Sequence, residues 1–150
     1  MGPLWAPIQG YLIEINDIFE IEGSASHAKH EYDFDHTPNG IKSGNQIDSA
    51  PELLANTRFI FTPKSGIKLE LEWEKIDSYP VDEKNAHFYK GHNVFNLRAK
   101  VPLNENLNFG FSFSNLTDEK YATRADYAFG SYRYFVGHER EFHLILEAIF

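Results

Sequence analysis

The sequence predicts an antiparallel all-β fold, about seven strands of a transmembrane β-barrel. The first indication is strict alternation. Ile67, Leu69, Leu71 and Trp73 share one parity, and Lys68, Glu70, Glu72 and Glu74 share the other, which is the period of a strand. The second is that the connections between such segments alternate between short and long. The third is the final segment, in which Phe142, Leu144, Leu146, Ala148 and Phe150 keep one parity apolar to the last residue. A wall that faces lipid needs an apolar band on every strand.

The composition agrees. Aromatic residues are 15% of the 150, with 13 Phe and 8 Tyr, and aromatics favour strands and membrane-interface girdles. No run approaches the roughly 18 apolar residues of a membrane helix. The mean hydropathy of -0.44 does not count against a barrel, whose strands hide their apolar face by alternation. With 22 acidic against 14 basic residues and a net charge of -8, nucleic acid is excluded as a partner, because phosphate binding needs a basic face. The absence of cysteine excludes thiol catalysis and zinc–thiolate sites. No signal peptide is visible at the start, so a chain located beyond the inner membrane is expected to be a fragment or to have lost its beginning.

Taken in order, residues 6–15 read as extended, with a turn at Asn16-Asp17. Ile18 to about Asp33 reads as a long strand, with Phe19, Ile21, Gly23 and Ala25 opposite Glu20, Glu22, Ser24 and Ser26. Residues 34–49 have loop composition. Strands follow at 50–62, 67–76, 87–101 and 107–115, with turns or loops at 63–66, 77–86 and 102–106. A long aromatic loop at about 117–138 leads to the last strand, 140–150. Counting back from a periplasmic end puts every short turn in the periplasm and every long loop outside. Seven strands is an odd number for a closed barrel, so an open curved sheet is expected for the segment alone. Alternation by itself cannot separate inward from outward. A soluble lipocalin-like barrel with its apolar parity inside, binding a small molecule, therefore stands as the alternative.

The run Asn115-Leu116-Thr117-Asp118-Glu119-Lys120-Tyr121, preceded by Gly-Phe-Ser-Phe-Ser, resembles the penultimate-strand signature of TonB-dependent outer-membrane receptors. Ala122 to Tyr127, Gly-x-x-Arg-Tyr-Phe at 130–135 and Gly137-His138-Glu139-Arg140 are similar to that family's C-terminus. Ser49-Ala50-Pro51-Glu52 and Asp82-Glu83-Lys84-Asn85 resemble its loops where they lead into strands. Where the family usually carries an aromatic two residues before the end, this chain has Ala148.

The resemblance covers nearly the whole chain except residues 1–6. It implies the last third of a barrel of about 22 strands, with residues 1–150 as its C-terminal part and the plug domain absent. It further implies uptake of an iron–siderophore or similar ligand. The implied partners are outer-membrane lipid, the rest of the barrel and plug, TonB through the missing N-terminal part, and the outer-membrane assembly machinery. The machinery would read Phe142, Leu144, Leu146 and Phe150. One third of a barrel is not expected to transport alone.

Within the 117–138 loop, Arg124, Tyr127, Arg133 and Tyr134 are the candidate ligand contacts, since Arg and aromatic residues recur at binding surfaces. Loop packing and interface anchoring explain the same residues. His27, His30 and His36 suggest a metal or haem site, but His27 and His30 have opposite parity, and polar residues at a strand's outer end explain them better. Asp33 and Asp35 are read as a solvated loop edge rather than a cation site. Glu70, Glu72 and Glu74 lie about 6–7 Å apart along a strand, the spacing of a glycosidase pair. Lumen-lining charge met by Arg58, Arg98 or Lys100 is the better reading, and no catalytic motif accompanies them. No cofactor, no metal and no enzyme activity are expected.

Overall fold

The computed structural model describes residues 9–149. Its elements are β1 (Gln9–Asn16), β2 (Phe19–His27), β3 (Leu53–Phe61), β4 (Lys68–Ile76), β5 (Tyr79–Pro80), β6 (Phe88–Tyr89), β7 (His92–Asn104), β8 (Leu107–Ser114), β9 (Ala122–Ala128), β10 (Ser131–Val136) and β11 (Glu141–Ala148). Seven of them form one antiparallel sheet in the order β1-β2-β3-β4-β7-β8-β11. The pairs β5–β6 and β9–β10 are separate two-stranded sheets inside the long connections. The all-β antiparallel expectation holds, and the main sheet is open: β1 and β11 each have one strand neighbour among the described residues.

Two of the short turns are fastened by asparagine. Asn16 Oδ1 accepts the N–H groups of Ile18 and Phe19, both at 3.0 Å, and Asn104 Oδ1 accepts that of Asn106 at 2.9 Å. Such side chains mimic a backbone turn. Because the strands run as a meander, the turns at 17–18, 62–67 and 105–106 share one end. The connections at 28–52, 77–91 and 115–140 share the other.

Register turns the alternation into a two-faced wall. Residues paired across an antiparallel ladder share a face. Ile13, Ile21, Phe59, Leu71, Leu97, Phe113 and Phe142 therefore form an apolar row unbroken across all seven strands. Phe61, Leu69, Ala99, Phe111 and Leu144 form the next row. This face is uncovered in the chain alone, with Ile13 52% and Leu144 62% exposed.

The opposite face is polar and internally paired. Arg98 reaches Glu70 Oε1 with Nη1 and Glu72 Oε2 with Nη2, both at 2.8 Å. Of the three cations proposed to meet the Glu row, Arg98 is the one that does so directly. Arg58 pairs with Glu22 at 2.8 Å and Lys100 with Glu147 at 2.6 Å.

Several boundaries differ from the sequence expectation, each for a local reason. β2 ends at His27 rather than near Asp33. Beyond it the Ala28 N–H turns to Glu52 O at 2.9 Å, and the loop makes only the isolated bridges Glu31–Gln46 and His36–Ile41. The expected strand at 87–101 is broken at Gly91, whose φ of 76° ordinary residues avoid. β7 proper starts at His92 and continues past Pro102, beside a register shift that accommodates the proline. The beginning of the first expected strand and Phe150 lie outside the described residues.

Candidate functional site

The three long connections pack into one cap. Ser49 N–H donates to Pro80 O at 2.9 Å, and Tyr127 N–H to Val81 O at 2.9 Å. Asn85 Oδ1 accepts from Gln46 N at 2.7 Å while its Nδ2 donates to Gln46 O at 2.8 Å. Loops 28–52 and 115–140 thus both rest on loop 77–91. The buried residues at the centre are Tyr79, Val81, Tyr89, Ala122 and Ala125.

The largest departure from expectation lies here. The sequence predicts one loop over about 117–138, but 122–136 form the hairpin β9–β10. Its turn is Phe129-Gly130, both with positive φ (54° and 80°), the backbone of a tight two-residue hairpin turn. The hydroxyls of two buried tyrosines take the place of a third strand on the free side of β9. Ala122 N–H donates to Tyr89 Oη and Ala125 N–H to Tyr79 Oη, both at 3.0 Å. Burial pushes both phenols above their ordinary range, against the opposing backbone hydrogen bonds.

The base of the hairpin is clasped by Asn115, which is 1% exposed and has a φ of 52°. Its Nδ2 donates to Glu119 O (3.0 Å) and His138 O (3.1 Å), and its Oδ1 accepts from Glu119 N (2.9 Å). Its own N–H donates to Asn96 Oδ1 at 3.0 Å. This is the physical content of the Asn-Leu-Thr-Asp-Glu-Lys-Tyr run. Asn115 was not singled out from sequence as a structural residue; an Asn directly after a strand, followed by Thr-Asp, was the available signal.

The hairpin sorts the four candidate ligand contacts. Arg124 pairs with Phe135 and Asp126 with Arg133, so these four share one face. Tyr127 pairs with Tyr132 and Ala125 with Tyr134, so these share the other. Arg124, Tyr127 and Arg133 nevertheless border one cavity of about 530 Å³ together with Asp82, Lys84 and His87. Tyr134 lines a different cavity. The two guanidiniums are not free: Asp126 meets Arg133 Nε at 2.5 Å and Arg124 Nη2 at 3.9 Å. One carboxylate faces two cations, and with Asp48, Asp82, Glu83 and Lys84 also in the lining the cavity carries four acidic against three basic side chains. His87 stacks on Tyr127 with centroids 3.6 Å apart and bonds Asp82 through Nδ1 at 2.9 Å. Burial pushes the Asp82 carboxyl up, but the His87 ring and the N–H groups of His87 and Ala86 outweigh it and hold the acid below its ordinary range.

Elsewhere, Glu72 accepts from Asn56, Asn96 and Arg98, and Glu74 from Asn96. These carboxylates serve as structural acceptors. Among the described residues, no group of three or more His, Cys, Asp or Glu side chains is placed to hold a metal ion. Asp35 Oδ1 accepts from Ser43 N at 2.8 Å and organises its own loop. Phe142, Leu144 and Leu146 lie on the apolar face of β11, opposite Phe113, Phe111 and Phe109.

No family model matches the chain, and no curated protein matches it. Solved structures do. The siderophore receptor PiuA from Acinetobacter baumannii superposes with a TM-score of 0.71 at 17% identity, over 93% of this chain and 20% of that one. The ferric-catecholate import receptor Fiu from K12 E. coli gives 0.70 at 22% identity, over 94% and 20%. The ferric yersiniabactin uptake receptor FyuA from Yersinia pestis gives 0.73 at 12%, over 93% and 22%. The chain therefore has the fold of part of these receptors and spans about a fifth of their length.

Proposed function

We propose that the chain is the C-terminal part of a TonB-dependent outer-membrane receptor, contributing about seven of some 22 barrel strands, and that the intact protein imports iron–siderophore complexes or similar ligands. The observation that carries this reading is the uncovered apolar row across all seven strands, set against a paired polar face. Lipid is the partner that an apolar face of this breadth requires, and a water-filled lumen suits the other face. The open edges support it too. Unpaired backbone groups are not tolerated in hydrocarbon, so β1 and β11 need further strands of the same barrel.

In this reading the short turns face the periplasm and the loop cap faces outside. Arg124, Tyr127, Arg133 and Tyr134 contribute to ligand capture. Phe142, Leu144, Leu146 and Phe150 are read by the assembly machinery. The plug and the segment that meets TonB belong to other parts of the protein, and energy comes from TonB rather than from chemistry here. The soluble lipocalin-like alternative is less favoured, because the likeness to import receptors extends over more than nine-tenths of the chain.

The test is uptake of radiolabelled ferric siderophores by cells that carry or lack the intact gene under iron limitation. Loss of uptake of at least one chelate, restored by the wild-type gene and reduced by Arg124→Ala with Arg133→Ala, is the expected result. Unchanged uptake of a broad chelate panel would remove the proposal.

A further inference from the structure

His92 opens β7 at the end of the wall that meets the cap, paired with Ile76 of β4. One step along the ladder, Lys75 pairs with Asn93 on the side that otherwise carries the apolar rows, so His92 stands beyond the apolar band. It is 8% exposed. Tyr89 Oη lies 2.8 Å from His92 Nδ1. The same Oη accepts the Ala122 N–H at 3.0 Å, at the start of β9. The Tyr121 ring packs against His92 with centroids 4.6 Å apart, and Tyr121 O accepts the Gly137 N–H at 2.9 Å, just past the end of β10. Both ends of the hairpin are thus tied to a tyrosine that touches this one histidine.

The direction of these hydrogen bonds fixes the proton on the histidine. A backbone N–H can only donate, so Tyr89 Oη is the acceptor for Ala122. The hydroxyl hydrogen then goes to His92 Nδ1. Nδ1 accepts only when it carries no proton, which requires the neutral ring with its hydrogen on Nε2. A protonated ring has a donor at both nitrogens. Two donors would converge on one buried oxygen, and the hydroxyl's own hydrogen would lose its acceptor, which is costly in a buried place. Burial also disfavours the charged ring, while Glu119 favours it and Lys90 disfavours it. The other titratable groups beside it are Glu74 of β4, His138 and Glu141, which border one cavity with His92 and Tyr121. We infer that His92 is a proton-operated latch. Neutral, it fastens the hairpin to the wall through Tyr89; protonated, it lets the hairpin go. The latch goes beyond the receptor reading and does not depend on what the cap binds.

The test is amide hydrogen exchange of the intact protein in detergent at about pH 8 and about pH 5, the range in which histidine changes charge. Protection is taken relative to intrinsic exchange at each pH, and the β3–β4 amides serve as the internal reference. A released ring titrates as an ordinary histidine, near pH 6.5, whereas a latched ring excludes the proton. Protection of segment 122–128 should therefore fall about thirtyfold between the two conditions, with β3–β4 unchanged. His92→Asn puts in place of Nδ1 an amide oxygen that accepts at every pH, so the pH dependence should disappear. Tyr89→Phe should give low protection at Ala122 under both conditions. Wild-type protection of 122–128 that is the same at both values overturns the latch. So does a fall that β3–β4 shares, or one that survives in His92→Asn, which keeps His87, His138 and every carboxylate of the cap. Because exchange rather than uptake is read, either result leaves the receptor reading to its own test.

Discussion

Asn115 and the two cap tyrosines show how single side chains stand in for secondary structure. Each occupies a place where the backbone would otherwise be left unpaired. A buried donor or acceptor that loses its partner is destabilised by about 1–3 kcal/mol. Asn115→Ala removes three side-chain hydrogen bonds at once and should destabilise the hairpin base by about 3 kcal/mol, read as faster amide exchange at Glu119. Tyr79→Phe and Tyr89→Phe each strand one N–H of β9. They should raise exchange at Ala125 and Ala122 respectively while leaving the β3–β4 amides as they are. Asp82 makes a pH prediction with a definite sign. Its folded pKa lies below the ordinary value, so its stabilisation is present above the unfolded carboxylate range, near pH 4. It is lost as pH falls through the folded value. The protection of the Ala86 and His87 amides, relative to their intrinsic exchange, should therefore fall on acidification below about pH 4, and Asp82→Asn should remove that dependence.

At the scale of elements, the legible parts of the chain were those in which one face is apolar. Lys68–Ile76 and Leu107–Ser114 fall within a residue or two of where alternation puts them, because a one-residue slip would reverse both faces. The hairpin β9–β10 was not legible by that rule. One of its faces carries Arg124, Asp126, Arg133 and Phe135 and the other Tyr127, Tyr132 and Tyr134, so neither is plainly aliphatic, and its interior contact is with other loops rather than with the main sheet. Its one local signal was Phe129-Gly130 between alternating residues, weaker than an Asn-Gly turn. The candidate residues Arg124, Tyr127, Arg133 and Tyr134 were found by type. Their division between two cavities, and the presence of Asp126 between the arginines, depend on strand pairing that composition does not encode. The hairpin supplies its own test. Asp126→Asn removes the carboxylate that neutralises Arg133 and Arg124. Affinity of the intact receptor for an anionic chelate should then rise and become more salt-dependent. A fall in affinity would mean that the arginines position the hairpin rather than meet the ligand.

At the scale of the molecule, the seven strands make a wall with two unlike faces. An apolar row crosses every strand, and a network of Arg98, Glu70, Glu72 and Asn96 lies behind it. A cation on the apolar side at the membrane midplane is destabilising by about 2–4 kcal/mol. Leu71→Arg should accordingly lower the yield of assembled barrel in the outer membrane. Ser112→Arg, on the polar face opposite His143, should not.

The central claim, that one face meets lipid and the other meets water, turns on neighbouring residues of β4. The chain has no cysteine of its own, so single nitroxide labels can be placed at Leu71→Cys and at Glu72→Cys in the intact protein. In membranes, the label at 71 should be relaxed strongly by dissolved oxygen and weakly by an aqueous nickel chelate, and the label at 72 should show the reverse. A label at 71 shielded from both reagents would place the apolar row in a protein interior and contradict the account.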